Sequence, residues 1–190
     1  MVGEKKEKVE ERKSFASGAM AHLDHLYRLA FHLAKDEDDA QDLVQETYTR
    51  ALGSHEQFTP GTNLKAWLTR ILYNFFFDHY HQRKKWASVE EEAAHNEAKS
   101  DYWERVAGEN PGPEGQLLQK ELHAKITDVL RKIPEEFRVP IILVDMGDFS
   151  YAEAAEILSC PLGTIRSRLS RGRRLLRQLL KGYVNAQDKE

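Results

Sequence analysis

Between Leu162 and Lys181 the chain carries seven bases, Arg166, Arg168, Arg171, Arg173, Arg174, Arg177 and Lys181, and no acid. Guanidinium groups at this density attract phosphates, and the planar fork of an arginine also matches two acceptors on a guanine edge. Spacing sorts these residues by face. At about 100° per residue, Ile165, Leu169, Gly172, Leu176 and Leu179 or Leu180 form one helical stripe. Thr164, Ser167, Arg171, Arg174 and Gln178 point away from it, with Arg166 and Arg168 flanking on opposite sides. Just upstream, Ser150-Tyr151-Ala152-Glu153 has the form of a capping box, opening a short helix with Ala154, Ala155, Ile157 and Leu158 inward. Ser159-Cys160-Pro161 then breaks the chain before the basic helix. A short helix, a tight turn and a second helix with an arginine-rich outer face are the equipment for entering a major groove. An arginine run alone would read as a solvated face or an acidic-lipid binder; the cap and the turn favour DNA.

A second basic block spans Asn63 to Trp86, where five bases face one acid, Asp78, and the aromatics Trp67, Tyr73, Phe75, Phe76, Phe77, Tyr80 and Trp86 are interleaved. Most of these rings sit at core spacing. Two readings fit Trp67: core packing, or a stacking platform for an unpaired base. Between the basic blocks, Ser88 to Gln119 holds eight acids against Lys99 and Arg105. The net charge of −3 hides this segregation, which suggests two nucleic-acid contacts separated by a linker.

Other reactive groups give weaker signals. His22 and His25, and His79 and His81, are close pairs, but neither has the neighbouring Cys or carboxylates that complete a ligand set. They read as helix-surface residues, and no metal or other cofactor is expected. Cys160, in the turn before the basic helix, fits either a redox-responsive thiol or, more simply, a small packed residue. No Ser-His-Asp order, phosphate loop or metalloprotease motif occurs, so neither an enzyme nor a small-molecule substrate is expected. With one cysteine in 190 residues there is no intramolecular disulfide, which fits a reducing cytoplasm. No run of about 18 apolar residues suggests membrane insertion, and the charged string Met1 to Lys13 is unlike a secretory signal.

The elements that must hold these groups are helical throughout. Met20, Leu23, Tyr27, Ala30, Phe31 and Ala34 give a helix over 14–34. Ala40, Leu43, Val44, Thr47 and Ala51 give another from about Glu37 to Leu52, with an acidic first turn suited to the helix dipole. Pro60-Gly61 marks a turn. Thr62 or Asn63 can cap a third helix, whose apolar face is Leu64, Trp67, Leu68, Ile71, Leu72, Phe75 and Phe76. Leu118, Leu122, Ile126, Val129, Leu130 and Ile133 mark a further helix, and Pro134 suits the first position of the next. Pro140 lies inside that next helix, where it removes a backbone hydrogen bond. The expected organisation is all-α. A disordered tail (1–13) precedes a first domain (14–86), a flexible acidic linker (87–113), a helix-turn-helix domain (114–182) and a C-terminal tail (183–190).

These residues also carry a family resemblance. Asp39-Ala40-Gln41-Asp42-Leu43-Val44-Gln45-Glu46-Thr47-Tyr48-Thr49-Arg50-Ala51 resembles the second-region helix of extracytoplasmic-function (ECF) RNA polymerase sigma factors. Phe58 to Leu72 resembles their promoter-melting segment, and Ile133 to Arg138 with Gly163 to Leu169 resembles their fourth region. The matches run in family order. The resemblance implies that Asp42, Leu43, Gln45 and Glu46 bind the clamp helices of core RNA polymerase. It implies minus-ten promoter contacts by Phe58, Thr62, Asn63, Trp67, Arg70, Asn74, Arg83, Lys84 and Lys85, with Phe58 and Asn74 at the pocket for an extruded base. Minus-thirty-five contacts fall to Thr164, Arg166, Ser167, Arg168, Ser170, Arg171 and Arg174, with Arg171 and Arg166 reading bases. The acidic linker would thread near the path of nascent RNA. The partners implied are core RNA polymerase, promoter DNA and an anti-sigma factor, and Phe58 to Leu72 looks most like relatives held by zinc-containing, redox-responsive anti-sigma factors. Phe75-Phe76-Phe77 is more aromatic than the family's usual run. Two rivals remain: a helix-turn-helix regulator that dimerises on duplex DNA without polymerase, and an RNA-binding or nuclease subunit built on the Asn63 to Trp86 helix.

Overall fold

A computed structural model of the chain describes the backbone of residues 2–87 and 125–187, and side chains within 9–79 and 125–181. Every regular element among the described residues is helical, as the apolar spacing requires. The acidic linker, with Tyr102 and Trp103, and the start of the second domain lie outside the described residues.

The first unit comprises α1 (Val2–Met20), α2 (Leu23–Ala34), α3 (Glu37–Gly53) and α4 (Leu64–Ala87). Two expectations are corrected at its start. The run 1–13 is helical from Val2 rather than a disordered tail. Glu, Lys and Arg are good helix formers. The single helix expected over 14–34 is two, broken at Ala21-His22, where the His22 amide bonds the Ala19 carbonyl at 3.0 Å. The Tyr48 hydroxyl of α3 donates to the same Ala19 carbonyl at 2.9 Å, satisfying one of the orphan acceptors at a helix end. The turn buries Ala19 and leaves Met20, a member of the apolar stripe by spacing, 55% exposed.

Lys35 closes α2 in the left-handed conformation, φ 68°. Asp36 then caps α3, its carboxylate accepting from the Asp39 amide at 3.0 Å. Ala40, Leu43, Val44, Thr47 and Ala51 are buried, matching the stripe read from spacing. A 3-10 turn, His55–Gln57, leads to the Thr59 to Thr62 turn, where Gly61 takes φ 86°, as a glycine readily does. Asn63 caps α4 through its side-chain oxygen, which accepts from the Ala66 amide at 3.1 Å. Leu68, Leu72 and Phe76 of α4 meet the buried faces of α2 and α3.

The second unit holds α5 (residues 125–131), α6 (Glu135–Ile141), most of α7 (Tyr151–Ile157) and α8 (Leu162–Gln187). Pro134 sits one position earlier than expected, as the cap of α6 in an extended conformation. Pro140 stays within α6, which then widens into a π turn, Ile142–Met146. Val129, Leu130, Ile133, Val139, Ile141, Ile142, Leu143, Phe149, Ile165 and Leu169 are buried. The helix α8 continues to Gln187, through most of the stretch expected to be a tail.

Candidate nucleic-acid interface

The capping box that opens α7 is formed in both directions. The Glu153 amide donates to Ser150 Oγ at 3.2 Å, while Glu153 Oε2 accepts from the Ser150 amide and hydroxyl, each at 2.8 Å. After α7, Ser159 reverses the chain in the left-handed region at φ 48°. The Cys160 amide reaches back to the Ala155 carbonyl at 3.0 Å, so the turn is hydrogen-bonded, and Cys160 is half-buried within it. Pro161 precedes α8, its carbonyl accepting from the Thr164 amide at 2.9 Å.

Ile165, Leu169 and Gly172 place α8 against the core. At Gly172 the two helices approach closely: a Cβ there would lie 2.8 Å from both Ile141 Cδ1 and the Phe137 carbonyl oxygen. Only glycine fits. Of the side chains singled out on α8, Arg166, Ser167, Ser170, Arg171 and Arg174 are exposed, and Thr164 and Arg168 are half-buried. The Ser167 hydroxyl donates to the Thr164 carbonyl at 3.0 Å, which leaves its oxygen as an acceptor. One base in the run is differently placed. Arg173 binds Asp145 through Nε at 3.0 Å and Nη2 at 2.5 Å, and donates from Nη1 to the Tyr151 hydroxyl at 3.1 Å. No local spacing announces a partner 28 positions away.

In the first unit, Phe58 belongs to an aromatic cluster with Phe15 and Trp67, at centroid distances of 5.9 and 5.6 Å. Phe15 meets Trp67 edge-on at 5.8 Å and also approaches His55. Phe58 and Trp67 are half-buried; packing therefore occupies part of Trp67. Phe15 was missed by sequence reasoning, though a lone aromatic in a charged run was a signal. Arg70 and Asn74 are exposed on α4 four residues apart, hence on one face. The Asn63 oxygen is committed to its cap, and the Thr62 hydroxyl donates to the Thr59 carbonyl at 2.7 Å, so both shape the loop. Arg83, Lys84 and Lys85 lie on the last turns of α4, their side chains outside the described residues.

On α3, Asp42 and Gln45 are exposed. Glu46 is half-exposed and holds Arg50 Nε at 2.7 Å, and the Arg50 guanidinium lies 4.5 Å from the Phe75 ring centre. Leu43 is 4% exposed and packs in the core of the first unit, as its place on the apolar stripe allows. Burial, and then Lys65, Arg28 and His22, push the His25 pKa down to about 3. Among the described residues no group of three or more His, Cys, Asp or Glu could hold a metal, and no helix is long and apolar enough to cross a membrane.

Comparison with known proteins agrees with this geometry. Residues 19–86 match Sigma-70 region 2, and residues 123–176 match Sigma-70, region 4. The chain is 38% identical over 172 residues to the ECF RNA polymerase sigma factor EcfG of Rhodopseudomonas palustris (strain TIE-1), covering 90% of this chain and 87% of that protein. It is 38% identical over 159 residues to the ECF RNA polymerase sigma factor SigE of Mycolicibacterium smegmatis, 84% of this chain but only 58% of that longer protein. Among solved structures, the sigma factor RpoE of Bartonella quintana, in complex with the anti-sigma factor NepR, aligns with a TM-score of 0.68 at 32% identity, over 89% of this chain and 98% of that one. The coverage of both chains, across both helical units and at this level of identity, means that this chain belongs to the ECF RNA polymerase sigma factor family.

Proposed function

We propose that this chain binds core RNA polymerase and directs it to promoters, opening the minus-ten element with the first unit and reading the minus-thirty-five element with α8. The observation that carries the reading is the pairing, in one chain, of region 2 and region 4 matches with a helix-turn-helix whose second helix exposes Arg166, Arg171 and Arg174. A sigma factor makes and breaks no bonds itself; the phosphodiester chemistry belongs to the polymerase.

On this reading Asp42, Gln45 and Glu46 present α3 to the polymerase clamp. Asn74 and Arg70, exposed on one face of α4, receive an extruded base and its phosphate together with Phe58. Unstacking a base costs a few kcal/mol, which the pocket contacts must offset. On α8, Arg171 and Arg166 read base edges, while Thr164, Arg168 and Arg174 hold phosphates, Ser167 and Ser170 assisting. The place of action is the cytoplasm. The regulator is an anti-sigma factor: the Bartonella relative was solved bound to one. The Phe58 to Leu72 resemblance points to a zinc-containing regulator, and the metal content of the protein captured with this chain tests that finer assignment.

Gel filtration with core RNA polymerase tests the function. Stoichiometric co-elution, abolished by Gln45→Ala with Glu46→Ala, is expected. A chain that elutes apart from polymerase and binds duplex DNA as its own dimer overturns the reading.

A further inference from the structure

We propose that Arg173 is a positioning residue for minus-thirty-five recognition: it does not grip DNA, but fixes the rotation of α8 relative to the π turn and α7. The proposal rests on the reading of α8 as the minus-thirty-five helix.

By composition Arg173 is one of seven equivalent bases in its run. In the fold it is not equivalent. Its three nitrogens all donate, two to the carboxylate of Asp145 and one to the Tyr151 hydroxyl, and its guanidinium carbon lies 6.0 Å from the Tyr151 ring centre. Asp145 comes from the π turn and Tyr151 is the first residue of α7. One side chain of the recognition helix therefore fastens two other elements. The bidentate geometry requires the planar fork of arginine, which lysine lacks.

The backbone that carries Asp145 is itself fixed. A π turn takes up an extra residue relative to an α-helical turn, which moves each following side chain round the axis. The turn is closed by the Phe149 amide, which donates to the Leu143 carbonyl at 3.1 Å. Gly147 makes this possible, because a Cβ there would stand 2.6 Å from that same carbonyl oxygen. Asp148 then leaves in the left-handed region at φ 57°. Asp145 is thus a braced acceptor.

The side chains of Arg173 and Asp145 are 39% and 32% exposed. An ion pair this wet adds little to folding stability, so its main consequence is orientation. Orientation matters here because a base-reading side chain must be held within about 0.5 Å of its productive place. Asp145 also offsets the Arg173 charge, which takes this base out of the general attraction for phosphate.

The test uses the full chain assembled with core polymerase. Promoter binding is measured on the best minus-thirty-five element and on single-base changes of it, across a salt series. The variants are Arg173→Gln, Arg173→Lys, Asp145→Asn and the Arg173→Gln/Asp145→Asn double, with Arg174→Ala for comparison. Arg173→Gln, Arg173→Lys and Asp145→Asn should each reduce the preference for the best element about tenfold, within the range that one base grip carries. The double variant should lose no more than either single, and the salt dependence should stay at the wild-type slope. A thermal melt of each variant identifies the folded fraction. A fall of about 0.9 in the slope for Arg173→Gln, with Asp145→Asn unaffected, makes Arg173 a phosphate contact and overturns the proposal. Unchanged selectivity in folded variants makes the pair a stability contact only, and also overturns it. Wild-type holoenzyme with no preference among upstream elements removes the reading of α8 itself, a failure that the native chain alone reveals.

Discussion

Replacing Gly172 with alanine tests the closest approach in the second unit. The added Cβ would stand 2.8 Å from the Phe137 carbonyl oxygen and 2.8 Å from Ile141 Cδ1, with Ile141 Cγ1 at 3.2 Å. The isoleucine methyl can swing aside. The carbonyl belongs to the backbone of α6 and cannot, so α6 and α8 must separate. Overpacking of this kind costs about 1–3 kcal/mol. Alanine recovers about 1 kcal/mol of helix propensity over glycine. The net expectation is a destabilisation of up to about 2 kcal/mol, after that offset. In a small helical domain each kcal/mol lowers the melting temperature by about 4–8 °C. The assay is a melt of the full chain, with hydrogen exchange of α6 and α8 amides to assign the transition. Gly163→Ala is the control, since a Cβ there meets nothing within 4 Å; it should be neutral or stabilising. A Gly172→Ala protein that melts at or above the Gly163→Ala control would refute the packing described.

Further expectations concern both units. If Arg171 grips a guanine, Arg171→Ala should cost about 1–3 kcal/mol and relax selectivity at one base pair, whereas Arg174→Ala should weaken all sequences alike and reduce the salt slope by about 1; holoenzyme binding at two salt concentrations separates them, and a uniform loss with Arg171→Ala would make that residue a phosphate clamp. Leu43→Ala should destabilise the first unit by about 2–5 kcal/mol, while Gln45→Ala should weaken polymerase binding with an unchanged melt. The His25 pKa in the folded chain, pushed down to about 3, lies below the ordinary value near 6.5, so the unfolded chain binds the extra proton. Stability is therefore complete above about pH 6.5 and falls as pH drops toward the folded value. His25→Gln should flatten that part of the stability profile, as measured by denaturant titration between pH 7 and 4.

Local rules reached far into this chain because much of it is built from local interactions. The α3 stripe, the Asn63 cap and the Ser150–Glu153 box each join residues within four positions, and all are legible from type and spacing, whereas Asp36, which spacing places in the acidic first turn of α3, is its cap. What spacing missed depends on distant partners. The break between α1 and α2 is supported by Tyr48, 29 residues from the Ala19 carbonyl it caps. The π turn follows a proline whose effect on the helix cannot be localised from sequence. Arg173 looked like any other base until Asp145 was placed beside it. Leu43 sits in the helix that resembles a polymerase-binding segment, yet its position on the apolar stripe made it core. A charged string with few apolar residues, such as 2–13, suggests disorder, although its residue types favour the helix it forms.

The central claim, that this chain makes core RNA polymerase promoter-specific, is tested most directly by run-off transcription with purified core enzyme on a library of random promoters. Adding the chain should yield transcripts whose templates share a minus-ten and a minus-thirty-five element at a fixed spacing, and the selected minus-thirty-five bases should shift with Arg171→Ala. Transcript levels and start sites that do not change when the chain is added would contradict the claim.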